Sequence, residues 1–345
     1  MSETGGVGKT LVVGECLVDL APAATGAPGA GPAGTGNVGA WARQLVAMPG
    51  GGPANIAVGL ARLGVTTAFA GRFSREGFGP WLRSYLLANE LDLTWSVEAD
   101  EDATLALVTL DEQGSAAYTF YGPGTADWQW KANELPDLSP TAPADLGVSA
   151  VHTGSIALTL EPGADVLASW LAGIRAGNRV LVSFDPNVRP SLVGDLSTYR
   201  ARVPGVISSS HIVKASDEDI EVLYPGASAS EVAERWLAQG ASLVVITAGA
   251  QGASAFHRNG SRAQWAPPPI EVVDTIGAGD SFSAGLLAYF AKTGLLDPAS
   301  LATLSEGHLH DAIAQAVSAS ALTCTRAGAD PPTEQELASF IAEQG

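Results

Sequence analysis

Short apolar runs recur along the chain and predict buried strands. They occupy residues 11–14, 180–185, 211–215 and 243–247. Each run is apolar at consecutive positions, which is typical of a parallel strand covered on both faces. Helical patterns lie between them, among them ADVLASWLAGIRAG and ASEVAERWLAQG. This alternation predicts an α/β fold in which a central, mostly parallel sheet is sandwiched by helices.

Two segments depart from this alternation. Residues 21–40 are almost entirely Ala, Gly, Pro and Thr. Such a segment buries too little apolar area to offset its chain entropy, so we expect a mobile loop. Residues 104–121 contain two alternating runs around the turn DEQG, which predicts a β-hairpin. Together they indicate a small β-sheet lid, formed from about residues 17–49 and 94–125.

The composition limits the class of protein. The chain has 345 residues, of which 46% are hydrophobic, so it can bury a sizeable core. No apolar run approaches the roughly 18–20 residues of a membrane span, and the N-terminus has no apolar signal core. The two cysteines, Cys16 and Cys324, do not make a disulfide framework. These features predict a cytoplasmic protein with a flexible tail over residues 1–10.

The formal net charge of −18 constrains the partners. Nucleic acid and anionic membrane surfaces bind basic patches, so neither is expected as a partner. A phosphate-bearing ligand would have to be held by local backbone amides, a few placed cations or a metal ion.

Two glycine motifs imitate nucleotide-binding loops. The N-terminal GGVGKT resembles a P-loop, but Glu3 occupies the position of its first glycine and a strand pattern follows instead of a helix. Gly29, Gly31 and Gly34 spell G-x-G-x-x-G inside the low-complexity segment, without the strand-to-helix turn that a dinucleotide site needs. A chance match explains both better than a nucleotide site.

The segment DTIGAGDSF, residues 274–282, carries the strongest chemical signal. It follows a strand pattern, IEVVD, and opens a helical pattern that ends near Lys292. The amides at its glycines would therefore lie at a helix N-terminus, which favours an anion. Asp280 stands at the same point and could accept a proton from a hydroxyl, as phosphoryl transfer to an alcohol requires. A glycine-rich turn with Asp280 as a helix cap fits the pattern equally well.

A family resemblance separates these alternatives. DTIGAGDSFSAG matches the second signature of the ribokinase-like (PfkB) carbohydrate kinases, and GGGPANIA, residues 50–57, matches the first. GECLVDL, GRFSREGFG, DPNVRP, VKASDED and ITAGAQGA are also similar to the family. The chain thus resembles these kinases over residues 11–335. This resemblance implies a single ribokinase-like domain with a β lid that transfers the γ-phosphate of ATP to a sugar hydroxyl.

The resemblance also implies roles for individual residues. Asp280 would be the catalytic base. The amides of Gly277, Ala278 and Gly279 would form an anion hole for the transferring phosphate. Sugar hydroxyls would be held by Asp19, Gly51, Gly52 and Asn55. The nucleotide would be bound by Thr247, Gly249 and Gly252, with Lys214 near the donor phosphates.

Two cations are implied in the same way. Asp219, with Ser216 where the family has Asn, matches a motif linked indirectly to magnesium. A monovalent-cation loop, suited to potassium, would use Asp274 and the carbonyls of Ile276, Thr323, Arg326 and Gly328. Pro332 stands where some members use Ser, so one potential ligand is missing.

The acceptor sugar is predicted from departures within the family. Within the family, the chain looks most like bacterial fructokinases and 2-keto-3-deoxygluconate kinases. Kinases of acidic sugars tend to carry an arginine after the lid tyrosine, but residues 121–123 are Tyr-Gly-Pro. This favours a neutral sugar, with fructose first, although Arg189 could still pair with a carboxylate.

Several alternatives remain open. Ser74-Arg75-Glu76 replaces an acidic family segment near the sugar site. Ribose, a nucleoside and 2-keto-3-deoxygluconate remain alternative acceptors. A non-catalytic sugar or nucleotide sensor is the alternative from another class. The exposed edge of a lid hairpin predicts a homodimer.

Overall fold

The fold is described from a computed structural model of the chain. It describes residues 8–22, 44–110, 116–142, 146–193 and 195–344. The P-loop-like stretch up to residue 7, most of the predicted mobile loop, the glycines of the G-x-G-x-x-G motif and the turn DEQG lie outside these ranges. No described helix is long and apolar enough to cross a membrane.

The described residues form a large sheet of eight strands. Its order is β14-β13-β12-β11-β10-β9-β1-β4, and the six strands from β12 to β4 run parallel. The other two, β13 and β14, continue the sheet antiparallel. In chain order the strands are β1 Lys9–Val13, β4 Thr67–Ala70, β9 Val148–Gly154, β10 Leu181–Asp185, β11 Ile212–Ser216, β12 Leu243–Thr247, β13 Ala253–His257 and β14 Arg262–Trp265. The four strands predicted from apolar runs are confirmed.

A second, four-stranded sheet stands apart from the large one. Its order is β3-β2-β7-β8, with β2 Leu17–Pro22, β3 Leu45–Gly50, β7 Leu105–Leu110 and β8 Ala116–Tyr121. The antiparallel pairing of β7 with β8 confirms the predicted hairpin. This sheet is the small β lid; β2, β7 and β8 lie within the ranges 17–49 and 94–125, and β3 extends one residue beyond the first range. A short parallel pair, β5 Arg72–Ser74 and β6 Val97–Ala99, completes the described strands.

Helices cover both faces of the large sheet. They are α1 Gly52–Arg62, α2 Gly79–Ala88, α3 Gly163–Gly177, α4 Leu196–Ser208, α5 Asp217–Leu223, α6 Ala229–Gln239, α7 Ala278–Lys292, α8 Pro298–Ala302, α9 Glu306–Cys324 and α10 Glu334–Gln344. Successive residues of β1 point to opposite faces, as in any strand. Val12 therefore packs in the core under α1, α7 and α9, while Leu11 and Val13 pack in the core under α3, α4 and α6. These two cores confirm the predicted layers.

Two sequence expectations need correction. The IEVVD segment is not a strand, and Val272 and Val273 are more than half exposed. Its backbone is instead held by the end of α9, because the amide of Val273 donates to the Cys324 carbonyl at 2.8 Å. Asp19, which comes after the first strand, lies within lid strand β2. Strand β1 already begins at Lys9, inside the range predicted as a tail.

Candidate active site

The glycine-rich turn and the start of α7 form one side of a cleft at the carboxyl edge of the large sheet. Gly277 is the N-cap of α7, with a left-handed φ of 75°. A Cβ there would lie 2.7 Å from the Cβ of Ala329, so glycine is required both by the backbone and by space. The Ala278 amide donates to the Thr275 carbonyl at 3.2 Å and so helps to close the turn. The predicted anion hole is therefore at a helix N-terminus, as expected.

Asp280 lies in the first turn of α7 and is 9% exposed. Its Oδ2 accepts a hydrogen bond of 2.8 Å from Nδ2 of Asn55, which lies in the first turn of α1. Burial raises the pKa of Asp280 above its ordinary value, while the Asn55 bond and the charge of Lys214 oppose the rise. A carboxylate poised in this way is suited to accept a proton from an alcohol. The structure thus joins residues from the two sequence signatures.

A buried ion pair lies behind this carboxylate. Nζ of Lys214, in the middle of β11, is 2.9 Å from Oδ2 of Asp185, the last residue of β10. Burial lowers the pKa of Lys214, but the charges of Asp185, Asp219 and Asp280 outweigh it and hold the pKa above its ordinary value. Lys214 is therefore a fixed cation. A Cβ at Gly279 would lie 3.1 Å from Nζ, so this cation is next to the predicted anion hole.

Gly51 and Gly52 bring α1 close to the same point. Gly51 is the N-cap of α1, with a φ of 104°, and a Cβ there would meet the Glu15 carbonyl at 2.7 Å. A Cβ at Gly52 would lie 3.1 Å from Nδ2 of Asn187 and 3.3 Å from Oδ1 of Asp280. Asn187 holds a left-handed φ of 35°, which is uncommon outside glycine. Sequence reasoning did not single out Asn187, although its place after a buried strand was a usable signal.

The lid brings further groups to the cleft. Asp19 of β2 has its pKa raised to about 6 by burial and by Asp280, partly offset by Arg189. Tyr118 of β8 has its pKa raised to about 12 by burial and by Asp19, again partly offset by Arg189. These couplings place Asp19, Tyr118 and Arg189 near one another. Tyr121, three residues further along β8, is 58% exposed. The lid tyrosine facing the cleft is therefore Tyr118.

The predicted nucleotide turn lies further along the carboxyl edge. Thr247 ends β12, beside β11, and its Oγ1 donates to the Ala215 carbonyl at 3.4 Å. Gly249 and Gly252 have φ values of 49° and 87° in the turn between β12 and β13. A Cβ at Gly252 would lie 1.9 Å from the Trp265 carbonyl, so the turn requires glycine there.

Asp219 uses both carboxylate oxygens within the protein. Oδ1 accepts from the amide of Val188 at 2.6 Å. Oδ2 accepts from the amide and the hydroxyl of Ser216, both at 2.8 Å, which caps α5. Asp219 therefore fixes the loop that carries Asn187 and Arg189, and any contribution to magnesium would be indirect.

The predicted cation loop is assembled from two segments. Oδ1 of Asp274 accepts from the amide of Ile276 at 3.0 Å, and Oδ2 accepts from the amide of Gly328 at 2.8 Å. At the end of α9, the Thr323 carbonyl accepts from the amide of Arg326 at 3.0 Å. The donor set is entirely oxygen, which suits a hard monovalent or divalent cation.

Fold and site together define a class of protein. An α/β sheet carries a buried carboxylate, a fixed lysine and a glycine-rich helix N-terminus at the carboxyl ends of its parallel strands, where such folds bind ligands. This combination is suited to the transfer of a phosphoryl group to an alcohol.

Comparison with known proteins identifies the family. The model of the pfkB family of carbohydrate kinases matches residues 8–336. A fructokinase of Rhizobium leguminosarum bv. trifolii is 34% identical, over 87% of this chain and 85% of its own. The chain belongs to the pfkB family of carbohydrate kinases and is an ATP-dependent sugar kinase.

Solved structures agree with this assignment. A fructokinase of Xylella fastidiosa with bound ATP aligns with a TM-score of 0.83 at 27% identity, covering 97% of this chain and 98% of that one. A fructokinase of Vibrio cholerae O395 holding fructose, ADP and a calcium ion aligns with a TM-score of 0.80 at 26% identity, covering 97% and 99%. A double mutant of the latter holds a potassium ion and aligns at 0.79, with 26% identity and coverage of 97% and 98%.

Proposed function

We propose that this kinase phosphorylates D-fructose at its 6-hydroxyl. The observation that supports phosphoryl transfer to a sugar hydroxyl is the Asp280–Asn55 contact at the meeting point of two helix N-termini. The fructokinases among its relatives support the choice of sugar. Charge supports it too, because the positive charge of Arg189 lies near the carboxyl groups of Asp19 and Asp280, which offset it.

The proposed mechanism assigns each step to a group in the cleft. Asp19 of the lid, Gly51 and Gly52 at the start of α1, and Arg189 of the loop after β10 bind the sugar. Asn55 orients Asp280, which accepts the proton of the attacking hydroxyl. Lys214 and the amides of residues 277–279 stabilise the charge that develops on the transferring phosphate. The lid excludes water, which limits hydrolysis of ATP.

Two cations complete the proposal. Magnesium, bound with the phosphates of ATP, would neutralise part of their negative charge. Asp219 would support that region only by holding its loop in place. The Asp274 and Gly328 segments would hold a monovalent cation, most simply potassium, next to Gly277.

An acceptor panel tests the substrate. ADP release would be measured with fructose, ribose, 2-keto-3-deoxygluconate and adenosine, each with magnesium and each with and without potassium. We expect fructose to have the highest kcat/KM and potassium to raise the rate. If 2-keto-3-deoxygluconate has the highest kcat/KM, Arg189 pairs with the carboxylate of the sugar. No turnover with any sugar would favour a sensor.

Substitution of Asn55 tests the coupling to the base. The Asn55 bond lowers the pKa of Asp280, so Asn55→Ala should raise that pKa further. Because the base must be ionised, the acid limb of the kcat/KM profile should move to higher pH. The loss of kcat/KM should be roughly tenfold near neutral pH and smaller in alkali. An unshifted acid limb would contradict the assignment of Asp280 as the base.

The lid also supports a proposal about assembly. Strands β3 and β8 are the edges of the lid sheet, and Leu45, Val46 and Tyr121 are exposed on them. Such edges can pair with a second copy of the chain. We propose a homodimer joined through the lid, and a monomer in sedimentation analysis would refute it.

A further inference from the structure

One buried carboxylate contacts the segments next to three of the lid strands, and we call these segments the base of the lid. Asp127 follows lid strand β8, and its Oδ1 accepts from the amide of Cys16, just before β2, at 3.0 Å. Its Oδ2 lies 2.6 Å from Oγ1 of Thr104, just before β7. The segments flanking three of the four lid strands therefore converge on this side chain, which is 1% exposed.

The contact continues as a chain of four oxygens. Oγ1 of Thr104 lies 2.5 Å from Oγ1 of Thr125, and Oγ1 of Thr125 lies 2.6 Å from the carbonyl oxygen of Gly122. Three short oxygen–oxygen contacts need three hydrogens, but the two threonine hydroxyls supply only two. The Gly122 carbonyl has none to give. With an ionised Asp127, Thr104 donates to its Oδ2 and Thr125 donates to Gly122, so the contact between the two threonine hydroxyls has no hydrogen. A protonated Asp127 carboxyl supplies that hydrogen by donating to Thr104.

Two opposing effects act on the Asp127 carboxyl. Burial raises its pKa to about 6, while hydrogen bonds from the Thr104 hydroxyl and from the amides of Cys16, Asp127 and Thr104 oppose the rise. The neighbouring titratable groups are Glu15, whose pKa burial raises to about 8, and the Cys16 thiol, whose pKa burial also raises. Arg72 of β5 donates to the Ala126 carbonyl at 3.0 Å, but its guanidinium is paired with Glu101 and Glu134. Its charge is therefore balanced.

We propose that Asp127 is a positioning residue whose protonated carboxyl, with Thr104 and Thr125, holds the base of the lid in the geometry that binds the acceptor sugar. When Asp127 ionises, one oxygen–oxygen contact of the chain lacks a hydrogen and opens. The lid strands that carry Asp19 and Tyr118 then lose their fixed position. The inference rests on the proposed role of the lid in sugar binding.

Asparagine imitates the protonated acid. In Asp127→Asn, Nδ2 donates permanently to Thr104 while Oδ1 still accepts from the Cys16 amide. We expect the ratio of the sugar KM of wild type to that of this variant to be near one at about pH 5.5 and to rise to about fivefold at about pH 8. Asp19 and Asp280 titrate in both proteins, so their effects on the sugar KM cancel in this ratio.

Thr104 supplies matched variants. Thr104→Val removes the hydroxyl and should raise the sugar KM about tenfold at every pH, with the ATP KM unchanged. Thr104→Ser keeps the hydroxyl and should behave as wild type. Asp102→Asn, an exposed carboxylate at the same turn, controls for loss of charge. If Asp127→Asn raises the sugar KM at every pH as Thr104→Val does, the carboxylate is an ionised acceptor and the proposal is wrong.

Thermal unfolding gives a readout that needs no substrate. A folded-state pKa above the unfolded value means that the folded protein binds the proton more tightly. The wild type should therefore gain stability relative to Asp127→Asn as the pH falls from about 7 to about 5. An equal pH dependence of Tm in the two proteins would overturn the proposal that Asp127 is protonated in its contact with Thr104, whichever sugar proves to be the acceptor.

Discussion

Asp280→Asn is expected to lower kcat by roughly 10²–10⁴ with little change in either KM. Asparagine keeps the size of the side chain and its partner Asn55 but cannot accept the hydroxyl proton. The substrates should still bind, because the proposed sugar contacts and the helix N-terminus are unchanged. Steady-state ADP release and sugar binding by calorimetry separate the two effects.

Asp297→Asn is the matched control for this variant. Asp297 is also a carboxylate at a helix start, where it caps α8 and accepts from the amides of Ala299 and Ser300. Asparagine caps helices nearly as well, so activity and Tm should be close to wild type. A variant at Asp280 that kept more than a third of the wild-type kcat would show that another group is the base.

Gly277→Ala is expected to reduce kcat by roughly 10²–10³, the effect of losing an oxyanion donor. The added Cβ would meet Ala329 at 2.7 Å for its Cβ and 2.9 Å for its Cα. Backbone atoms cannot turn aside as a flexible side chain can, so the glycine-rich turn must shift. Since the Asp274–Gly328 contact lies in the same turn, the response to potassium should weaken as well.

Gly294→Ala separates backbone strain from the steric clash. Gly294 ends α7 with a φ of 72°, almost that of Gly277, but a Cβ there would meet nothing within 4 Å. Both variants should lose about 1–2 kcal/mol of unfolding free energy from the left-handed backbone. Only Gly277→Ala should lose kcat. Equal activity in the two variants would argue against an anion hole at residues 277–279.

The local sequence pattern was sufficient to predict those elements whose defining residues are neighbours in the chain. The buried strands and the start of α7 follow from apolar periodicity and from glycines before a helix, because these depend on neighbours in sequence. The same reasoning failed for IEVVD, which has the composition of a strand. Its backbone donors are taken by the end of α9, about fifty residues away, and no local pattern reports that.

The lid tyrosine shows a second limit. The family resemblance matched residues 121–123 to the end of the tyrosine-bearing lid strand but did not say which tyrosine faces the cleft. Side chains in a strand alternate between faces. Tyr118 and Tyr121 differ by an odd number of positions, so they cannot face the same side of β8. Which face is turned to the cleft is set by packing of the whole lid, where Tyr118 packs against the buried cluster that contains Leu17 and Trp128.

The sequence by itself determined the α/β layers, the hairpin, the family and the residues at the start of α7, because each is encoded over a short stretch. Only the tertiary structure decided that Lys214 pairs with Asp185, that Asn187 faces Gly52, and that Asp127 joins the lid strands. Those contacts link residues that are far apart in the sequence and on different elements, and their buried polar groups must find partners wherever the fold brings one within reach.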